Sequence, residues 1–188
     1  MIIIGISGKK GSGKDTFASL LANELLSKQG LKVTLKAFAD KLKQCCAIIS
    51  GQFEWIFYNQ DAKNKKAGPF LNITNRELMQ KFGDLTRQLD PDIWIKLTLE
   101  SEYKIAPDIL IITDVRFKNE AKAIKDSGGI LIKMESDRSE EDTHKSETDL
   151  DYYNNFDLVI NNNIGVSIKE LQAKAKDTIT YIKNEKFS

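Results

Sequence analysis

The stretch MIIIGISGKKGSGKDTF, residues 1–17, decides the fold. A β-branched run at 2–6 leads into a glycine-rich turn at 7–14. Phe17, Leu20, Leu21 and Leu25 then recur at helical spacing up to Gly30. A short apolar run bounded by turn residues is a strand buried on both faces. Strand, glycine turn and helix, in that order, form the context in which G-x-x-x-x-G-K-[ST] holds phosphate. Successive backbone N–H groups wrap the oxygens and the helix start adds its positive dipole end. Gly8, Gly13 and Lys14 fit that pattern, with Gly11 and Ser12 inside the turn. Position 15 departs from it: Asp15 stands where a hydroxyl residue is expected, and Thr16 follows.

Outward from this loop, strands and helices alternate. LKVTLKAF (31–38) alternates apolar and polar residues as a second strand does, and 40–50 has a helical pattern. From Gly51 to Asn72 the pattern weakens into aromatics and a KNKK cluster, a loop-rich or mobile insertion. Thr74 and Glu77 form a capping box that opens the helix RELMQKFGDLTRQL, and Asp90-Pro91 opens another. DILIITDV (108–115) is strongly strand-like. A helix over 117–127 stops at Gly128-Gly129, and the strand ILIKM follows. Residues 135–151 are polar and acidic, without a core-facing stripe. FDLVIN (156–161) is a last strand, and Ser167 with Glu170 caps a final helix. Five strands alternating with helices imply an α/β fold, with a mainly parallel sheet covered on both faces. Ligands bind such sheets beyond the carboxyl ends of the strands. The first loop, Asp40, Asp114 to Arg116 and the segment after 134 all follow strands, so they are expected on one edge.

Composition narrows the function classes. A chain of 188 residues, 41% apolar and of net charge +1, reads as one globular domain, 1–188. Near-neutral charge removes the usual footprint of a binder of nucleic acid polymers. No apolar run reaches the roughly 18 residues of a membrane span, and MIIIGIS is too short for a secretory leader. The adjacent Cys45 and Cys46 are poorly placed to bridge each other and fit a reducing compartment, so a cytoplasmic location is expected.

Only four of the 28 basic residues are arginine: Arg76, Arg87, Arg116 and Arg138. Where lysine is otherwise preferred, a retained arginine marks a need for bidentate anion recognition. Arg76 and Arg87 are 11 residues apart, about three turns along one helix face. Gly83 between them allows close approach by a ligand or another backbone. Asp114, ending an apolar strand, suits a carboxylate that holds Mg²⁺ directly or through water, and Arg116 leaves the same strand end. Arg138 and His144 lie in the polar segment, whose length and polarity suit a lid closing over phosphates. His144, the sole histidine, has no second His and no nearby Cys with which to bind a metal. A guanine-reading N-K-x-D is missing, since NKKA at Asn64 lacks the aspartate; this disfavours a nucleotide-gated switch.

The ordered set GKKGSGKDTFA, FADKLK, LMQKFGDLTRQLDPDIWIK, IITDVRFKNEAKAIK, HKSE and FDLVINN resembles the deoxynucleoside monophosphate kinases of bacteriophages over almost the whole chain. DVRFKNEA and HKSE are more specific than the phosphate loop alone. The resemblance implies a three-layer α/β/α P-loop kinase fold with a helical acceptor-binding region at about 51–105 and a lid at 135–151. It implies ATP and Mg²⁺, transfer of the γ-phosphoryl group to a deoxynucleoside 5′-monophosphate, and small-molecule nucleotides as partners; it is compatible with a homodimer. Gly8, Gly11, Ser12, Gly13, Lys14, Asp15 and Thr16 would then bind ATP, with Asn162 beside the adenine. Lys14, Asp15, Arg116 and Arg138 would be catalytic. Asp40, Arg76, Arg87, Arg116, His144 and Glu147 would bind the acceptor. Asp15 and Asp114 would face the metal, with Asp15 alternatively orienting the acceptor. Kinases of phosphomevalonate share the Gly-Lys-Asp loop and are the nearest enzymatic alternative.

Overall fold

The computed structural model describes residues 1–138 and 144–186. Five strands form one parallel sheet in the order β2-β3-β1-β4-β5: β1 (Ile2–Ser7), β2 (Val33–Lys36), β3 (Ile109–Val115), β4 (Ile130–Glu135) and β5 (Leu158–Asn161). The helices are α1 (Lys14–Gln29), α2 (Asp40–Ser50), α3 (Trp55–Tyr58), α4 (Asn75–Leu89), α5 (Ile93–Ile105), α6 (Lys118–Asp126), α7 (Lys145–Thr148) and α8 (Ile168–Lys186). The contacts group into two compact units. One comprises 1–37 with 102–188, the other 38–101.

The first unit holds the sheet. Because strand side chains alternate with period two, the central strands present two apolar faces. Ile4 and Ile6 of β1, Ile109 and Ile111 of β3, and Ile130 and Ile132 of β4 pack with Phe17, Leu21 and Leu25 of α1. Leu171, Ala175, Ile179 and Ile182 of α8 complete that core. On the opposite face Ile124 of α6, Leu131 and Val115 close around Gly5. Three layers result, and the continuous apolar runs of β1 and β3 follow from burial on both sides. Ile168 is 60% exposed, because it starts the helix beyond the edge of the core. Ser167 and Glu170 cap that helix reciprocally: the Ser167 N–H donates to Glu170 at 2.7 Å, and the Glu170 N–H donates to the Ser167 hydroxyl at 3.2 Å.

Two aspartates pin the strand entrances in the same way. Before β3, the Asp108 N–H donates to the Lys32 carbonyl at 2.9 Å, and the Asp108 carboxylate accepts the Lys32 N–H at 2.8 Å. Before β5, the Asp157 N–H donates to the Leu131 carbonyl at 2.8 Å, and its carboxylate accepts the Leu131 N–H at 2.7 Å. Asp157 also pairs with Lys125 of α6 at 2.5 Å, so one side chain joins β4, β5 and the helix covering them. At the other end of β3 the register with β1 shifts. Gly5 pairs with Ile112 and Ser7 with Val115, so β3 fits one extra residue into Thr113-Asp114. Such a bulge bends a strand and re-aims a side chain, and here it falls on an expected site carboxylate.

The second unit is helical. α2 packs on α4, and Phe82 of α4 meets Trp94 of α5 with ring centroids 6.4 Å apart. Both halves of the Thr74–Glu77 capping box are formed. The segment expected as a loop-rich or mobile insertion contains the single turn α3 and a Lys66–Thr74 bridge. It is tied to buried Asn75, whose side chain donates to the Ala62 carbonyl at 3.0 Å and accepts from Gln52 at 2.7 Å. Burial and the neighbouring Cys45 push the Cys46 thiol up to about 12, which makes it a packing residue rather than a nucleophile.

Asp157→Ala leaves the buried Leu131 N–H without its acceptor. Stability should fall by about 1–3 kcal/mol. Urea unfolding should show a lower midpoint at an unchanged m-value, with Asp157→Asn falling between wild type and Ala.

Candidate active site

β1 ends in the glycine loop, and α1 starts directly from it with Gly13 as its N-cap at φ +83. Among the described residues no side-chain hydrogen bond caps this helix start, which leaves its first N–H groups available to an anion. Two glycines are required by space and by conformation. A Cβ on Gly8 would meet the Ser12 hydroxyl at 2.5 Å and the Met134 carbonyl at 2.9 Å. Gly13 occupies the left-handed region and is pressed against Asn162. Ser12 is fully buried, and its hydroxyl has no partner among the described residues.

Lys14 is buried under this loop, 9% exposed, with its ammonium 3.5 Å from the Lys9 carbonyl, at the limit of a hydrogen bond. Burial, and then the positive Arg116, lower its pKa from the ordinary lysine value. Asp15 and Asp114 act in the opposite direction without cancelling the effect. Four expected site residues (Lys14, Asp15, Asp114 and Arg116) thus share one electrostatic neighbourhood at the carboxyl ends of β1 and β3. Asp15 and Thr16 are exposed on the first turn of α1.

Arg116 is held on two sides. Its N–H donates to the Glu120 carboxylate at 2.8 Å, and the Phe117 N–H shares the same oxygen at 3.1 Å. Its guanidinium pairs with Glu147 of the segment 144–151. That segment has two more attachments. The Asp149 carboxylate accepts the Lys118 N–H at 2.8 Å, and Asp151 pairs with Lys9 of the loop at 3.2 Å. Beneath it is a cavity of about 420 Å³, lined in part by Gly8, Lys9, Arg116, Lys133, Glu147 and Phe156. His144 caps α7: its Nδ1 accepts the Ser146 N–H at 3.2 Å. The stretch expected to be polar throughout also carries Leu150, which is only 8% exposed. Part of the expected lid, residues 139–143, falls outside the described residues. Arg138 donates from Nη2 to the Asn162 carbonyl at 2.7 Å, and the Asn162 side chain donates to the Ser12 carbonyl at 3.0 Å.

Asp40, Arg76 and Arg87 belong to the second unit. Asp40 accepts from the Tyr58 hydroxyl at 2.9 Å and pairs with Lys43 at 3.4 Å, while Arg76 donates to Asn64 at 3.2 Å. The missing side chain of Gly83 has a local use. The Arg87 guanidinium and Leu42 of α2 each lie 3.2 Å from where its Cβ would be.

Glu120, Lys9 and Asp149 were not among the expected residues. Glu120 stands at the capping-box spacing, but position 117 is phenylalanine, so the Ser/Thr half of that pattern is missing. Lys9 and Asp149 had no signal beyond charge. Among the described residues no group of three or more His, Cys, Asp or Glu is arranged to hold a metal, and no helix is long and apolar enough to cross a membrane.

A parallel sheet covered on both faces, with a glycine loop feeding a helix and a buried lysine beneath that loop, defines the P-loop kinase fold. Residues 31–175 match the family model for deoxynucleotide monophosphate kinase. A candidate deoxynucleotide monophosphate kinase of Acanthamoeba polyphaga mimivirus is 33% identical over 182 residues, covering 87% of this chain and 89% of that one. The deoxynucleoside-5′-monophosphate kinase of Escherichia phage T5 is 26% identical over 181 residues, covering 67% of this chain and 72% of that one. The chain belongs to the deoxynucleotide monophosphate kinase family.

Charge on Lys14 opposes folding. Between its lowered value and 10.5 the folded chain binds fewer protons than the unfolded chain, so this contribution to stability rises with pH across that window. Lys14→Met should therefore raise Tm at neutral pH, by about 2–4 °C for each kcal/mol relieved, while abolishing turnover. The Tm gap should narrow as pH approaches 10.5. Calorimetry across pH checks both points.

Proposed function

We propose that this kinase transfers the γ-phosphoryl group of ATP to a deoxynucleoside 5′-monophosphate by in-line attack. The observation that carries the reading is the convergence of Lys14, Asp15, Asp114 and Arg116, which supplies both signs of charge at the end of a phosphate loop. Gly8 to Thr16 cradle the ATP phosphates. Arg116, oriented by Glu147 and by the Glu120 cap behind it, holds the acceptor phosphate in line. Arg138 moves from the Asn162 carbonyl to the transferring group and neutralises charge there. His144 and Glu147 belong to the lid segment, His144 by capping α7 and Glu147 by fixing Arg116. Asp40, Arg76 and Arg87 are assigned to the acceptor nucleotide on the strength of their motifs.

Phosphoryl transfer asks a protein mainly for position and charge. No strong general base is needed, because a phosphate dianion is already a competent nucleophile at neutral pH. Mg²⁺ in such sites takes one or two carboxylates, the rest of its shell being phosphate oxygens and water. Asp15, exposed on the first turn, and Asp114, at the β3 bulge, are hard oxygen donors that fit this demand. Bound there, the ion would neutralise negative charge on the polyphosphate.

A coupled assay with a panel of deoxynucleoside monophosphates, phosphomevalonate and no acceptor tests the reading. Turnover should require a deoxynucleoside monophosphate and ATP. Arg116→Lys should lose roughly 10²-fold or more in kcat/KM while ATP affinity is retained, because a point charge cannot replace the guanidinium fork. Preferential turnover of phosphomevalonate, or full activity in Arg116→Lys, would overturn it.

A further inference from the structure

We propose that Asn162 is a positioning residue that locks the Ser12–Gly13 peptide with its N–H facing the phosphate cradle, rather than a contact to the adenine ring. This inference rests on the phosphate-loop reading above. In a planar trans peptide the C=O and N–H point in opposite directions. The Asn162 side chain donates to the Ser12 carbonyl at 3.0 Å. That bond turns the carbonyl away from the cradle and so turns the Gly13 N–H into it. A lock is needed here because Gly13, at φ +83, has no Cβ to oppose a flip of this peptide. Ser12 cannot supply the lock. Its N–H is committed to the Lys9 carbonyl at 3.1 Å, and its buried hydroxyl has no partner among the described residues.

Asn162 is itself held rigidly. It is 5% exposed, and its N–H donates to the Glu135 carbonyl at 2.7 Å. Its carbonyl accepts from the Ser136 hydroxyl at 2.7 Å, a bond that remains when Arg138, also 2.7 Å from that carbonyl, moves to the transferring group. Its amide nitrogen stands only 2.3 Å from where a Cβ on Gly13 would be, so the lock bears directly on the residue it controls. With backbone and side-chain donor all engaged inside the protein, Asn162 is placed to act through the loop.

The two roles separate with a ligand that has no base. Titration calorimetry should compare ATP with inorganic tripolyphosphate on wild type, Asn162→Ala and Asn162→Leu, the last keeping the branching and bulk of Asn without its donor. Both variants should bind ATP and tripolyphosphate about tenfold more weakly, by the same factor for each ligand. A loss confined to ATP would assign Asn162 to the adenine and overturn the proposal. Unchanged affinity for both ligands with a lowered Tm would reduce it to a structural brace and also overturn it. Lys14→Ala tests the underlying reading separately. If Lys14→Ala binds tripolyphosphate as tightly as wild type does, or wild type does not bind it, the phosphate-loop reading fails whatever Asn162 does.

Discussion

A lysine buried beside an arginine is the constraint on which the site depends. Lys14 lies under the glycine loop, and Arg116 lowers its pKa further after burial has done so. Two cations drawn together in a low-dielectric setting gain when an anion arrives between them, since polyphosphate reverses the sign of the local field. On the proposed reading, a polyphosphate bound between them would relieve this repulsion. The surrounding acids limit the penalty meanwhile: Asp15 and Asp114 act on Lys14, and Glu147 pairs with Arg116.

The sheet makes this concentration of charge tolerable. β1 lies at its centre, flanked by β3 and β4, and its apolar faces are covered by α1 and α8 on one side and α6 on the other. The strand ends therefore have little freedom to yield. The bulge at Thr113-Asp114 is the local exception, and it carries the Asp114 carboxylate. The Glu120 cap then fixes the main chain that carries Arg116.

Most of the architecture was legible in the sequence because it follows from period and punctuation. The continuous apolar runs of β1 and β3, the Thr74–Glu77 box and the Ser167–Glu170 box all describe local choices that the fold keeps. The glycine loop could be read for the same reason, its residues being adjacent in sequence. What escaped was mostly made of distant partners. Leu150 is a single apolar residue in a polar stretch, and only the folded chain shows that it is buried in the wall of a cavity. Asn162 is 150 positions from Ser12, and a run of asparagines resembles an ordinary turn. Gly83 was legible as a point of close approach, but not that its own helix and α2 fill the space.

The paired Asp108 and Asp157 clamps sit at the amino ends of β3 and β5, whereas the glycine loop, Asp114 and Arg116 lie at carboxyl ends. The fold thus places its anchorage and its chemistry at opposite rims of one sheet. Substitutions can accumulate at the upper rim without loosening the lower one. An engineer seeking a hardier enzyme would work on the entrances of the strands and leave their exits alone.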